Sequence, residues 1–218
     1  MLKDLFLKNI FAPVCILCGA PSVDLDICPG CRADLPWMQY VKNLDFPDAP
    51  YRVLSAFKYA TPVDRLILDL KFHQRLVNSC VLGELFADYL FAQITTLPEL
   101  IIPTPLHPTR LRNRGYNQVV ELIRPFARRS GISILLSECQ RVRATLPQTQ
   151  LGMIERQINV ENAFAINRDG YAKINGRRVA IVDDVITTGH TVREISRVVR
   201  QAGAREIEIW SVARVSFA

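Results

Sequence analysis

Apolar residues in this chain fall in short runs separated by polar, proline and glycine punctuation. RVLSAF from Arg52, LIIPTP from Leu100, ISILLSE from Ile132, RRVAIVDD from Arg177 and REIEIWSVARV from Arg205 are rich in apolar and β-branched residues. Runs of this length and content predict buried strands. Between them the spacing changes to that of helices. Val63, Ile67 and Leu70 share one face, a second helix is predicted around Leu82 to Ile94, and RGYNQVVELIRPFARR and HTVREISRVVRQAG carry the same spacing, the last ended by Gly203. Thr61, Pro62 and Asp64 predict a helix start, with a hydroxyl cap, proline in the first turn and an acid near the positive end of the dipole. Strands that are apolar nearly throughout, alternating with helices, imply a parallel sheet covered on both faces. The predicted fold class is α/β.

The pattern fails before residue 45. From Cys15 to Pro36 the chain is rich in Cys, Pro, Gly and Asp and poor in large apolar residues, so a hydrophobic core could not hold it. The polar, proline-flanked stretch NLDFPDAP follows, and two units are expected: residues 1–45, small and cysteine-rich, and residues 46–218, the α/β unit. No internal repeat or low-complexity tract interrupts either. Four of the six cysteines, Cys15, Cys18, Cys28 and Cys31, have the spacing C-x2-C-x9-C-x2-C. The opening MLKDLFLKNIFAPVC does not read as an export signal, because Asp4 and Lys8 break its apolar run. In a chain read as cytoplasmic, this spacing points to zinc rather than disulfides. Four thiolates fill every tetrahedral position, which marks a structural Zn²⁺ that supplies the stability the segment lacks. Cys80 and Cys139 sit in apolar surroundings and read as packed residues.

Composition narrows the rest only slightly. With 49% hydrophobic residues the chain can bury a core and is not expected to be disordered, and no apolar stretch is long enough to span a membrane. The formal charge of +6 favours an anionic partner without choosing among phosphorylated small molecules, nucleic acid and acidic lipid.

The chemistry is carried by VAIVDDVITTGHT. Ligands of open α/β sheets bind beyond the carboxyl ends of the strands, where Asp183 and Asp184 are expected. Beyond them Thr187, Thr188 and Thr191 offer hydroxyls, Gly189 lets backbone approach closely, and His190 opens a helix with unpaired N–H groups. These are parts of a phosphate cradle. Two carboxylates beside such a cradle would repel an anion unless they meet neutral groups, and ribose hydroxyls are suitable donors. The same residues would also serve as helix caps and turns.

This segment resembles the phosphoribosyl pyrophosphate (PRPP) signature of type I phosphoribosyltransferases. The resemblance implies that Asp183 and Asp184 hold ribose hydroxyls, that Val185 and Ile186 lead into the loop, and that Thr187, Thr188, Gly189, His190 and Thr191 hold the 5′-phosphate. The four-cysteine segment, YATPVDRLILDLKF, IIPTPLHPTRLRNRGYNQ and TLPQTQL with ERQINVENAF together resemble the ComF/GntX family of competence-associated, phosphoribosyltransferase-like proteins over essentially the whole chain. The expected architecture is therefore a type I phosphoribosyltransferase-like sheet with an N-terminal, double zinc ribbon-like unit.

From the same resemblance, the segment from Thr104 to Arg110, with Pro105, Leu106, His107 and Arg110, would lie against the pyrophosphate. Arg143, Thr145 and Gln148 would belong to a flexible loop that closes over PRPP, with Mg²⁺ accompanying the donor. His107 between two prolines also reads as a turn residue, and the arginines as a solvated basic loop. Arg110, Arg112 and Arg114, with Tyr116 and Asn117, mix cationic and stacking groups as single-stranded DNA contacts do. The family implies a role in uptake or handling of single-stranded DNA during natural transformation, beside competence-machinery partners such as a helicase or DNA-processing protein. A phosphoribosyltransferase acting on an unknown acceptor is the alternative, and an adaptor that has lost its ligand a third reading, which the intact Asp pair argues against.

Overall fold

The computed structural model describes residues 13–22, 26–38, 44–46, 49–143 and 160–215. The elements in chain order are α1 (Pro29–Ala33), β1 (Leu44–Phe46), β2 (Ala49–Lys58), α2 (Val63–Phe72), α3 (Leu76–Gln93), β3 (Leu100–Pro103), α4 (Pro108–Arg114) and α5 (Gln118–Ser130). They continue with β4 (Ser133–Ile134), β5 (Cys139–Arg141), β6 (Phe164–Ile166), α6 (Arg168–Ile174), β7 (Arg178–Ile186), α7 (His190–Gln201) and β8 (Glu206–Arg214). Six strands form one sheet in the order β1-β2-β8-β7-β3-β4, antiparallel only at the β1–β2 edge. The predicted parallel α/β architecture is present. A separate antiparallel ribbon pairs β5 with β6.

Side chains of β7 alternate between two cores. Ala180 and Val182 join the apolar cluster of α2, α3 and α5, whereas Val179 and Ile181 join that of α7 and the β5–β6 ribbon. The period of two in a strand produces this division. On the first face α3 and α5 pack closely because Gly83 has no side chain: a Cβ there would come within 2.9 Å of the Leu122 carbonyl oxygen.

The cysteine segment is packed onto that same face. Cys15, Ile27 and Leu35 share the core of Phe57, Phe86 and Trp210. Trp37 stacks on Phe57 with centroids 4.5 Å apart, and the chain beside it bridges to the edge of β2. Arg32 reaches Asp88 of α3 at 3.0 Å, and Arg129 of α5 meets the same carboxylate at 2.8 Å.

Several expectations are corrected. β7 does not stop at the acids but continues through Val185 to Ile186, held by parallel pairing to β8 as far as Arg214. The basic stretch after Pro105 is not all loop: residues 108–114 form α4, because His107 accepts a hydrogen bond from the Thr109 N–H and Pro108 presets the first turn. Gly115, at φ 85°, ends that helix in the left-handed region. Thr61 does not cap α2; Pro62 holds that position without a side-chain bond, and Thr61 donates to Asp64 at 3.3 Å instead. α3 starts six residues before Leu82, and ISILLSE contributes only the two-residue β4.

Candidate functional site

The carboxyl ends of β3 and β7 adjoin, and the candidate site is built there. The Thr104 N–H and hydroxyl both donate to the Val182 carbonyl, at 2.8 and 3.0 Å, fixing the segment after β3 beside the acid pair. Asn117 anchors it from the other side: its side-chain amide donates to the Thr104 carbonyl at 3.0 Å, while its oxygen caps α5 through the Val119 N–H. Pro105, Leu106, His107 and Arg110 are all half-buried in this corner.

Past β7 the chain turns through residues 187–189 into α7. Gly189 adopts φ 80° and takes the helix cap position without offering a side-chain bond, so the first N–H groups of α7 have no side-chain acceptor from the cap residue. Asp183, Val185, Ile186, Thr187, Thr188, Gly189, His190 and Thr191 line one small cleft. Thus the expected phosphate loop and one of the two acids share a cavity. Burial holds the His190 imidazole below its usual pKa.

The two acids, adjacent in sequence, have different surroundings. Asp184 is 4% exposed, and both its oxygens are engaged. Lys71 of α2 donates to Oδ1 at 2.9 Å and Gln118 of α5 to Oδ2 at 2.8 Å. Arg114 donates in turn to the Gln118 side-chain oxygen. Asp184 therefore connects β7 with two helices on one face of the sheet. Asp183 accepts the Asp184 N–H at 2.9 Å and is influenced by Arg141 from the β5–β6 ribbon on the other face. Burial, reinforced by the charge on Asp184, pushes the Asp183 carboxyl up to about 7, against the pull of Lys71 and Arg141. The expectation gave both carboxylates to one ligand; here Asp183 lines the cleft and Asp184 is turned toward Lys71.

The residues expected at nucleic acid also separate. Arg112 is exposed, and Arg110 and Arg114 are half-buried. Tyr116 donates its hydroxyl to the Leu70 carbonyl, and Asn117 makes the bonds given above, so both secure the fold. The exposed aromatic ring of this corner is Phe72, 60% exposed, with the Arg114 guanidinium 5.9 Å from its centroid. Of the flexible-loop residues, Arg143 donates to the Glu161 carbonyl at 2.6 Å, and Thr145 and Gln148 lie outside the described residues.

Three side chains of this region had no place in the sequence reading: Lys71, Gln118 and Arg141. Lys71 continues the apolar stripe of α2 one turn beyond Ile67, and a cation on a buried stripe is the signal that would have found it. Arg141 would have required prediction of β5, a three-residue strand of which two residues, Gln140 and Arg141, are polar.

At the N-terminus the four cysteine sulfurs lie within 4.8 Å of one another. Thiolates around a tetrahedral zinc ion stand about 3.8 Å apart, given a Zn–S bond of about 2.3 Å, so the cluster fits such an ion. Cys15 and Gly19 close a tight turn, and the Cys28 sulfur accepts the Cys31 N–H at the start of α1. Although burial opposes it, N–H donation from Cys28, Cys18 and Leu17 brings Cys15 down to about 6, while the other thiols and burial push Cys31 up. No disulfide joins any of the six cysteines. Among the described residues no helix is long and apolar enough to cross a membrane.

Residues 141–216 match the phosphoribosyl transferase domain. The DNA utilization protein YhgH of Escherichia coli K12 is 33% identical over 208 residues, covering 92% of this chain and 90% of that protein. Competence protein F of Haemophilus influenzae is 38% identical over 162 residues, covering 72% and 69%. Among solved structures, adenine phosphoribosyltransferase from Thermoanaerobacter pseudethanolicus overlays 66% of this chain and 83% of its own at 19% identity, with a TM-score of 0.39. With a cysteine cluster ahead of a phosphoribosyltransferase-type sheet, and similarity to these relatives along most of its length, the chain belongs to the ComF family.

Proposed function

We propose that the protein binds PRPP at the carboxyl edge of β3 and β7 and uses that site in handling single-stranded DNA during natural transformation. The observation that carries the donor reading is the single cleft lined by Asp183 and the loop of Thr187, Thr188, Gly189, His190 and Thr191. In this reading the loop hydroxyls and the first N–H groups of α7 take the 5′-phosphate. Asp183 accepts hydrogen bonds from the ribose hydroxyls, and Asp184, clamped by Lys71 and Gln118, keeps β7 positioned against α2 and α5. Pro105, Leu106, His107 and Arg110 border the pyrophosphate end. Mg²⁺ takes few protein carboxylates and completes its shell with substrate oxygens and water, so Asp183 suits it; the ion supplies charge neutralisation of the phosphates. The four cysteines hold structural zinc.

Support for the DNA role comes from the names of the relatives, a competence protein and a DNA utilization protein, and from the pairing of exposed Phe72 with half-buried Arg114. Arginine and an aromatic ring on one surface stack bases and neutralise phosphates together. Phosphoribosyl transfer to an unknown acceptor is the second reading, favoured by the intact acid and phosphate loop.

Calorimetry with PRPP and Mg²⁺, and anisotropy with a labelled single-stranded oligonucleotide at two salt concentrations, test the two halves separately. Asp183→Ala should weaken PRPP by tenfold or more, since hydrogen bonds to a charged group contribute roughly 1.5–3 kcal/mol each. Pyrophosphate release on mixing, with and without DNA, distinguishes transfer from binding. Absence of PRPP binding by folded, zinc-loaded protein overturns the donor reading; absence of oligonucleotide binding at low salt overturns the DNA role.

A further inference from the structure

We infer that a cavity at the amino edge of the sheet, at the opposite end of β7 from Asp183, binds a small zwitterion: an α-amino acid, held by Glu206 through its ammonium and by Arg178 through its carboxylate. Two arginine–glutamate pairs stand directly opposite one another across neighbouring parallel strands there, Arg52 with Glu208 and Arg178 with Glu206. At the strand spacing of about 4.7–4.9 Å, opposite charges attract. The first pair closes, at 3.1 Å, and both its members have further partners. Arg52 also donates to the Gln93 carbonyl at the end of α3 at 2.6 Å, and Glu208 accepts the Trp210 indole N–H at 2.9 Å. The second pair stays open. The Arg178 guanidinium is drawn aside to a neutral group, the Leu97 carbonyl, at 3.2 and 3.3 Å. Glu99, the neighbouring acid, takes the backbone N–H of Arg178 and is paired with Arg177 at 2.7 Å. Glu206 is exposed, and no donor meets its carboxylate among the described residues.

Both pairs line a single cavity of about 200 Å³, to which Thr95 and Thr96, between α3 and β3, add their side chains. Sites for drug-sized ligands run to roughly 300–1,000 Å³, so the occupant is small. Charge then selects its class. An anion such as phosphate would meet the carboxylates of Glu206 and Glu208, and a bare cation the guanidiniums of Arg52 and Arg178. A nucleobase would call for a ring to stack on, and no aromatic residue is among those lining the cavity. A molecule with one charge of each sign satisfies the open pair. In an α-amino acid one carbon separates the ammonium from the carboxylate, so the two groups can address side chains of adjacent strands. Arginine offers its fork of donors to the carboxylate, Glu206 accepts from the ammonium, and the threonine hydroxyls remain for a polar side chain. Arg178 and Asp183 are five residue steps apart along β7, roughly 17 Å of strand, so the inference stands whether or not PRPP binds.

The test uses ligand-observed NMR and calorimetry on zinc-loaded, full-length protein, with L-serine, L-asparagine and L-glutamine as probes. Each probe has two blocked counterparts, the N-acetyl form without an ammonium and the C-terminal amide without a carboxylate. At least one zwitterion should bind at millimolar concentration or below, and both its blocked forms should lose roughly tenfold or more, since each forfeits a charge-assisted contact. Glu206→Gln should lose roughly tenfold or more for the zwitterion at an unchanged melting temperature, because the carboxylate has no partner in the fold to lose. Arg178→Lys keeps the charge but lacks the fork and should lose several-fold. Arg178→Gln should lose more; should it melt early, Glu206→Gln carries the test alone. Asp183→Asn should leave amino-acid affinity unchanged within twofold. If none of the three zwitterions binds, if the blocked forms bind equally well, or if Glu206→Gln matches wild type, the inference is overturned and the cleft holds solvent only. Displacement of the bound amino acid by PRPP would equally overturn it, because it would move the amino acid to the other end of β7.

Discussion

Replacing Lys71 with methionine removes one partner of the Lys71–Asp184 pair and retains most of the stem that packs in α2. Asp184 would then be a carboxylate with 6% of its side chain in water and one remaining donor, Gln118. Breaking a buried pair costs about 3–5 kcal/mol, because an uncompensated charge remains inside. Here a fifth of the Lys71 side chain is exposed, so water partly replaces the ammonium, and about 2–3 kcal/mol is expected. For a chain of this size each kcal/mol moves the melting temperature by about 2–4 °C, so Lys71→Met should melt roughly 5–10 °C lower. The reverse substitution sharpens the test. In the double variant Lys71→Met, Asp184→Leu neither charge of the pair remains, and apolar replacement of a buried pair is often neutral or stabilising, so most of the loss should return. Urea unfolding at pH 7 in the presence of zinc reads both variants. A single variant within 1 °C of wild type, or a double variant less stable than the single, would refute the view that Asp184 is fastened by Lys71.

Other outcomes follow from the same geometry. Metal analysis should find one zinc per chain, and chelation should destabilise the whole fold, because Cys15 and Leu35 share the core of Phe57 and Trp210; a fold that melts unchanged without metal contradicts this. Since folding raises the Asp183 pKa from its ordinary value to about 7, the folded state binds the extra proton between about pH 4 and 7, so this group's stabilisation declines as pH rises through that window. Asp183→Asn, measured without PRPP or Mg²⁺, should flatten that decline, and an equally steep urea-midpoint profile would argue against it. Phe72→Ala should weaken single-stranded oligonucleotide binding about fivefold or more with little change in melting temperature, since base stacking on an aromatic ring contributes about 1–3 kcal/mol and this ring is mostly in water. Equal anisotropy titrations of variant and wild type would remove Phe72 from the surface.

The sheet was largely legible because its strands are apolar nearly throughout, and a strand buried on both faces has few alternatives. The turn from β7 into α7 was equally legible, since its residues are contiguous and their spacing is fixed by one strand-to-helix connection. What could not be read were contacts made between distant segments. Lys71 and Asp184 stand 113 residues apart, and nothing local to either names the other. β5 and β6 are three residues each and stable only as a pair. α4 was missed for a different reason: the basic run RLRNR obscured a local start signal, His107 followed by Pro108, that was present.

The division of the acid pair follows from the extension of β7. Had the strand stopped at Val182, the two carboxylates would lie in a loop, free to turn toward the same ligand. Parallel pairing with β8 continues past them to Ile186, so alternation still acts on them and sends neighbouring side chains to opposite faces. One face presents α2 and α5, whose Lys71 and Gln118 take Asp184; the other presents the arginine of β5 and the cleft lined by residues 187–191, which receive Asp183. A motif that reads as two equivalent acids thereby places them in two different surroundings. The measurement that separates them compares Asp183→Asn with Asp184→Asn: the first should change ligand affinity more than stability, the second stability more than affinity. If both substitutions changed the two quantities in the same proportion, alternation would not govern the pair.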